Sequence, residues 1–272
     1  MVNPSTSDSP VKVFESYARK RALNRAESID GDFGFLRKHA AENIEDRRQD
    51  IKRTLKDMLM LQPAHWDNEI EALDVEGQNF DLITSVLDLH AVNDLPGLLL
   101  QIRQRLKPDG LFLGAMFGGE TLHQLRTTLM QTEIDLKNGV SPRVFPFADK
   151  QQMGALLQRA GYALPVIDSE IVTVTYDNMF KLMHDLRGMG ETNIIAERSR
   201  KNPGKEFFMK AAEHYQKNFA DADGRIEATF EIIYLIGWAP DESQQKPLKP
   251  GSAEKRLSDA LNTDEIKTGD KP

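Results

Sequence analysis

Phe80-Asp81-Leu82-Ile83-Thr84-Ser85-Val86-Leu87 and, further on, Leu111-Phe112-Leu113-Gly114-Ala115-Met116-Phe117 are two short apolar runs rich in branched and aromatic residues. Each reads as a strand buried on both faces. The chain between them predicts a helix. Asn93 or Asp94 supplies the cap, Pro96 falls in the first turn, and Leu95, Leu98, Leu99, Ile102 and Leu106 recur at helical spacing. Lys107-Pro108-Asp109-Gly110 is a turn signal. Strand, helix, strand with apolar strands implies a parallel sheet covered by helices on both sides, an α/β fold.

Outward from this unit, Asp57-Met58-Leu59-Met60-Leu61 predicts another buried strand upstream. Downstream, Gly118-Gly119 ends the strand and a helix begins near Thr121 with Leu122, Leu125 and Leu129 inward. A second helix is capped by Asp149, with Gln152 as its capping-box partner; Met153, Leu156 and Leu157 face inward, and Gly161 stops it. Ile171–Tyr176 and Thr229–Trp238 read as antiparallel strands at one sheet edge. The segment 177–227 between them reads as helical, with Phe208, Ala211, Ala212, Tyr215 and Phe219 on one face, capping the strands' C-terminal ends.

From Val11 to Leu61 the chain is charged and helical in pattern. Phe14, Tyr17, Ala18, Arg21 and Ala22 share one helical face, and Ile44, Arg48, Ile51 and Leu55 another. Arg19, Lys20, Arg21 and Arg25 cluster on the first of these helices, as a solvated face or as a docking surface for an acidic partner. The expected organisation is a disordered lead over 1–10, helices over 11–57, an α/β domain from 58–176 plus 228–239, a helical cap over 177–227 and an extended tail over 240–272.

A net charge of −7 argues against general nucleic-acid binding, since no basic excess faces the phosphates. The absence of cysteine removes disulfides, thiolate nucleophiles and thiolate metal sites. No apolar run approaches the roughly 20 residues of a membrane span. The N-terminus has no apolar signal region, and Asp8, Glu15, Glu27 and Asp30 make a poor transit peptide, so the expected location is cytoplasmic.

His65-Trp66-Asp67 matches the opening of a two-histidine, one-carboxylate metal triad, but that chemistry sits on a barrel of many strands, and no metal site is expected. Gly118-Gly119 is strand punctuation or a phosphate cradle. No residue stands out as catalytic. Arg187-Gly188-Met189-Gly190-Glu191-Thr192-Asn193 is either a shaped functional loop or a helix C-cap.

The segment from Phe80-Asp81-Leu82-Ile83 to Lys107-Pro108-Asp109-Gly110-Leu111-Phe112 resembles the fourth strand, helix and fifth strand of class I S-adenosylmethionine (SAM) methyltransferases, a Rossmann-like fold. Further motifs narrow the likeness: Gly114 to Leu122, Gly139-Val140-Ser141-Pro142-Arg143, Met179 to Met183, Asp185 to Asn193, Gly237-Trp238 and Glu242-Ser243-Gln244-Gln245. These resemble the family of the mitochondrial complex I assembly factor described as an arginine hydroxylase, whose bacterial relatives are also labelled as methyltransferases or by analogy with the biotin-pathway carboxyl methyltransferase. The resemblance implies SAM as cofactor and, as partner, a subunit of respiratory NADH:quinone oxidoreductase. It places Glu69 at the family's acidic adenine contact, with Glu71 close by, and Ser85, Leu87 and His90 at the lip after the fourth strand. Arg143, Arg187, Met189, Glu191 and Asn193 fall in the segments expected to meet substrate or partner.

The chain departs from the family at the cofactor. Where a glycine-rich turn belongs it reads Leu61-Gln62-Pro63-Ala64-His65-Trp66. Residues 62–79 alone separate the first strand from the next, too few for two further strands and helices, because one strand–helix–strand unit takes about 30 residues. The expectation is a class I sheet truncated on this side, carrying N-terminal helices and a helical insert before its last strand, with SAM binding impaired. The alternative is an active class I methyltransferase with a rebuilt pocket, acting on a protein or small molecule.

Overall fold

In the computed structural model the apolar runs at Phe80 and Leu111 lie side by side as parallel strands, Leu82 opposite Leu111 and Val86 opposite Ala115. The structure describes residues 12–67, 70–77, 79–137, 139–245 and 262–263. In chain order the elements are α1 (Ser16–Glu27), α2 (Phe35–Gln49), β1 (Met58–Leu61), β2 (Trp66–Asp67), β3 (Ala72–Leu73), β4 (Phe80–Val86), α3 (Leu95–Arg105), β5 (Leu106–Phe117), α4 (His123–Lys137), α5 (Lys150–Arg159), β6 (Ala163–Tyr176), α6 (Met179–Gly188), α7 (Lys205–Phe219) and β7 (Ile226–Trp238). All belong to one unit, Met1–Pro240; the lead over 1–10 lies outside the described residues. A second unit, Asp241–Pro272, is described only at 241–245 and 262–263, where Ser243 N–H donates to Asp241 Oδ1 at 2.9 Å.

The main sheet runs β1-β4-β5-β7-β6. β1 and β4 are parallel, as are β4 and β5; β7 is antiparallel to both β5 and β6. Alternation along each strand divides the side chains between two cores. Leu82, Leu113, Phe117 and Tyr234 face α2, α4, α6 and α7, whereas Ile83, Phe112, Met116 and Leu235 face α3 and α5. The result is a mixed α/β sheet of Rossmann-like type.

Local signals act where the sequence places them. Asp94 caps α3 by accepting from Gly97 N–H at 2.9 Å, and Leu98, Leu99 and Ile102 are buried. Asp149 and Gln152 close a reciprocal capping box, with bonds of 2.7 and 3.1 Å.

Three expectations need correction. The Lys107–Gly110 turn signal lies inside β5: Leu106 already pairs with Phe80, and the residues before Leu111 bulge out of the ladder. The bulge is held because Ala239 N–H donates to Gly110 O at 2.8 Å and Asp109 N–H to Ala239 O at 3.2 Å. α2 stops at Gln49, so Ile51 and Leu55 lie beyond it. On α1, Tyr17 and Arg21 point outward and Arg19 inward. Between Tyr176 and Ile226 the helices are two, α6 and α7; Phe208, Ala212 and Phe219 of α7 pack on the core beside buried Ala211 and Tyr215, and Phe207 joins them, fully buried.

Among the described residues, 62–79 adds no strand to the main sheet. It makes a short 3-10 turn at Pro63–His65 and the antiparallel pair β2–β3. α3 pins this segment: Gln101 donates to Glu71 O and accepts from Leu73 N–H, at 3.0 and 2.9 Å, and Arg105 donates to Val75 O and Gly77 O. β1 is therefore a sheet edge.

Candidate functional site

The C-terminal ends of β1, β4 and β5 open toward α1 and the 187–193 loop, and three cavities meet there. One, of about 790 Å³, lies between α1 and the turn after β1 and is lined by Tyr17, Lys20, Gln62, His65, Trp66 and Ser85 among others. A second, of about 370 Å³, is lined by Phe33, Arg37, Leu87, Phe117, Met189 and Glu191. A third, of about 50 Å³, lies among Phe117, Arg143, Phe145, Phe147, Glu191 and Asn193.

The turn after β1 turns its polar groups on itself. Gln62 N–H donates to His65 Nδ1 at 3.2 Å, His65 N–H to Gln62 O at 2.9 Å, and Pro63 has no N–H. Trp66 is buried where a glycine turn would leave room. Near the C-terminal end of β4, the hydroxyl of Ser85 is buried without a hydrogen-bond partner. Leu87 adopts φ +52°, uncommon for a bulky residue, and its N–H donates to Ala115 O. Asp88, next in line, is gripped by Arg37 through bonds of 2.7 and 3.0 Å.

Glu191 forms the centre. α6 ends in a Schellman cap: Gly190 takes φ +78°, its N–H donates to Arg187 O, and Glu191 N–H donates to Leu186 O at 2.8 Å. The shaped loop and the C-cap are thus one structure, and the cap turns Glu191 inward. Its carboxylate accepts from Arg19 Nη1 and meets His90 Nε2, each at 3.1 Å, and Arg19 also donates to Gly190 O. Burial pushes the Glu191 carboxyl up, but the Arg19 guanidinium and then His90 outweigh it and hold it at about 2. A carboxylate only accepts, so His90 carries its hydrogen on Nε2; its Nδ1 is buried without a partner, beside the ring of Phe117.

The structure brings together His90, Glu191, Leu87 and Met189, and Ser85 opens on the neighbouring cleft. Arg143 lines the third cavity with Glu191, its guanidinium paired with buried Glu133 and lying over the Phe207 ring. Asn193 donates to Pro142 O at 2.9 Å, holding the loop to the 139–143 segment. Arg187 is exposed, and Glu71 sits at the β2–β3 turn with φ +53°. Glu69 lies outside the described residues. Gly118 offers no room for a phosphate: a Cβ there would lie 2.5 Å from Glu231 Oε2, which accepts from Glu120 N–H.

Sequence reasoning placed Arg19 only in a surface cluster and missed Arg37 and Asp88. The spacing Arg19, Ala22, Ala26 sets Arg19 on the small-residue face of α1, which was the available signal for its burial. Nothing local connects Arg37 with Asp88.

The chain is similar to the arginine-hydroxylase NDUFAF5 of Dictyostelium discoideum mitochondria, 47% identical over 190 residues, 70% of this chain and 43% of that protein. It is 44% identical to the Homo sapiens protein of the same name over 67% of this chain and 53% of the other. The malonyl-[acyl-carrier protein] O-methyltransferase of Xylella fastidiosa is 34% identical over 67% of this chain and 63% of its own length. The chain spans about half the length of the NDUFAF5 proteins it matches. A family model described as a methyltransferase domain matches residues 14–165, more than half of the chain, and the chain belongs to that methyltransferase family.

Proposed function

We propose that this chain works as a methyltransferase-family protein of the arginine-hydroxylase NDUFAF5 kind that binds a protein partner, a subunit of respiratory NADH:quinone oxidoreductase, with SAM binding impaired. The observation that carries the impairment is the turn after β1. SAM in a class I site needs backbone donors there and a carboxylate for its ribose on the next strand. Here the Gln62 and His65 N–H groups are spent within the turn, Trp66 fills the space, and the described residues of 62–79 put no strand beside β1. The residues present do not fit SAM in its family pose. Each buried ligand hydroxyl left unpaired costs about 1–3 kcal/mol, and two lost anchors amount to a hundredfold or more in affinity.

The partner half of the proposal is supported by likeness to the NDUFAF5 proteins and by the buried Arg19–Glu191–His90 network, which ties the 187–193 loop to the site mouth. A second reading, an active SAM-dependent methyltransferase on a protein or small molecule, is favoured by one observation: a cleft of about 790 Å³ with an unpartnered Ser85 hydroxyl remains at the cofactor position. Calorimetric titration with SAM decides between them. Silence up to millimolar SAM is expected; micromolar binding overturns the impairment, above all if Ser85→Ala abolishes it.

A further inference from the structure

α1 turns Arg19 and Ala22 inward and presents Tyr17, Lys20 and Arg21 to solvent, with Tyr17 72% exposed. The Arg21 guanidinium lies over the Tyr17 ring at 5.7 Å. One turn on, Arg25 reaches the 187–193 loop: its Nη2 donates to Thr192 Oγ1 at 3.0 Å, while its Nε is buried without a partner. The end of α6 packs on this stretch of α1, with Leu23 and Ala26 against Gly190, which brings exposed Arg187 alongside. Among the described residues, Arg21, Arg25 and Arg187 make no ion pair. Burial first, then repulsion from Arg187 and Arg21, hold Arg25 below its ordinary value.

Helix dipoles favour cations in a last turn, which explains Arg25 and Arg187 one at a time. They explain neither Arg21 nor the convergence of three guanidinium groups without a carboxylate. That convergence is unusual in a chain with 42 acidic against 35 basic residues. Like charges packed together oppose folding, so the cluster calls for an anion from outside. Tyrosine and arginine are also the side chains over-represented at the energetic centres of protein interfaces.

We infer that Tyr17, Arg21, Arg25 and Arg187 form the docking face for the protein partner, and that the segment received there is acidic, its carboxylates meeting the guanidinium forks and an apolar side chain resting on Tyr17. The inference rests on the protein-binding half of the proposed function and not on the state of the SAM site. A lone exposed aromatic among cations, without an apolar stripe, suits a protein segment better than a bilayer.

The test uses the full chain and a fluorescein-labelled peptide of about twelve residues, alternating Glu and Asp around a central Phe. Fluorescence anisotropy at about 50 mM salt should show saturable binding that weakens as salt rises. The double variant Arg21→Glu, Arg187→Glu should bind about tenfold or more weakly, and Tyr17→Ala should also weaken binding. The same double variant should melt at a higher temperature than wild type, because the repulsion is relieved; this separates lost docking from lost folding. Unchanged peptide affinity in the double variant, no binding up to millimolar peptide, or a lowered melting temperature each overturns the inference. So does recruitment to vesicles of equal phosphatidylcholine and phosphatidylserine without peptide binding. SAM calorimetry on the same samples judges the cofactor reading separately, so either can fail alone.

Discussion

Glu191 joins the cap of α6, the inner face of α1 and the lip after β4, and its carboxylate holds the Arg19 guanidinium and the His90 ring inside the protein. Removing it strands Arg19, whose side chain is only 7% exposed. Glu191→Ala is expected to cost about 3–5 kcal/mol, the range for breaking a buried pair, measured by urea unfolding; Glu191→Gln should cost less. The pH dependence follows from the same pair. The folded carboxyl is held at about 2 against an ordinary value of 4.5. A depressed value means the stabilisation is complete above the ordinary value and is lost as pH falls toward 2. The wild type should therefore shed its advantage over Glu191→Gln between roughly pH 4.5 and 2, and an advantage constant across that window would show that Glu191 is not charged in the folded state. Gly188 offers a second test at this scale. A Cβ there would lie 2.2 Å from Phe33 Cγ, so Gly188→Ala should cost about 1–3 kcal/mol by overpacking. Phe33→Leu in the same chain should recover much of that loss.

The two sheet edges differ as elements. β6 carries devices that discourage pairing: Pro165 within a register shift, and Asp168 and Glu170 along the strand. β1 reads Met-Leu-Met-Leu, with Met58 and Met60 more than half exposed and no charge, proline or bulge. Met60→Lys is expected to suppress concentration-dependent association in light scattering while leaving the melting temperature within a degree or two, since an exposed side chain contributes little to the core. If association is unaffected, β1 is not the self-pairing edge. The capping box of α5 makes the opposite prediction, a change in stability without a change in association. Asp149→Ala should cost about 1 kcal/mol, read from the urea midpoint, and Asp149→Asn should restore most of it.

For the whole molecule, the shortened sheet and the closed turn act together. Substituting glycines at 62–66 opens the turn but supplies no neighbouring strand, so it should leave SAM titrations silent. Grafting the complete segment from a relative should bring binding into the micromolar range. Recovery by the glycines alone would mean that the carboxylate strand is dispensable. What the sequence determined by itself lay at short range. The β4–α3–β5 order follows from apolar periodicity, and the Asp94 and Asp149 caps depend on residues three apart. That the described residues of 62–79 add no strand to the main sheet was legible in the length of the segment, because a chain cannot reach farther than its residues allow. What only the tertiary structure decided was which distant groups meet. His90 finds Glu191 across 101 positions and Arg19 finds it across 172, so neither pairing leaves a trace in local spacing. The Lys107–Gly110 signal became a bulge because the end of β7 hydrogen-bonds to it, and Arg19 turned inward and Tyr17 outward because a buried carboxylate, supplied by the cap of α6, outweighed the ordinary preference of each residue type.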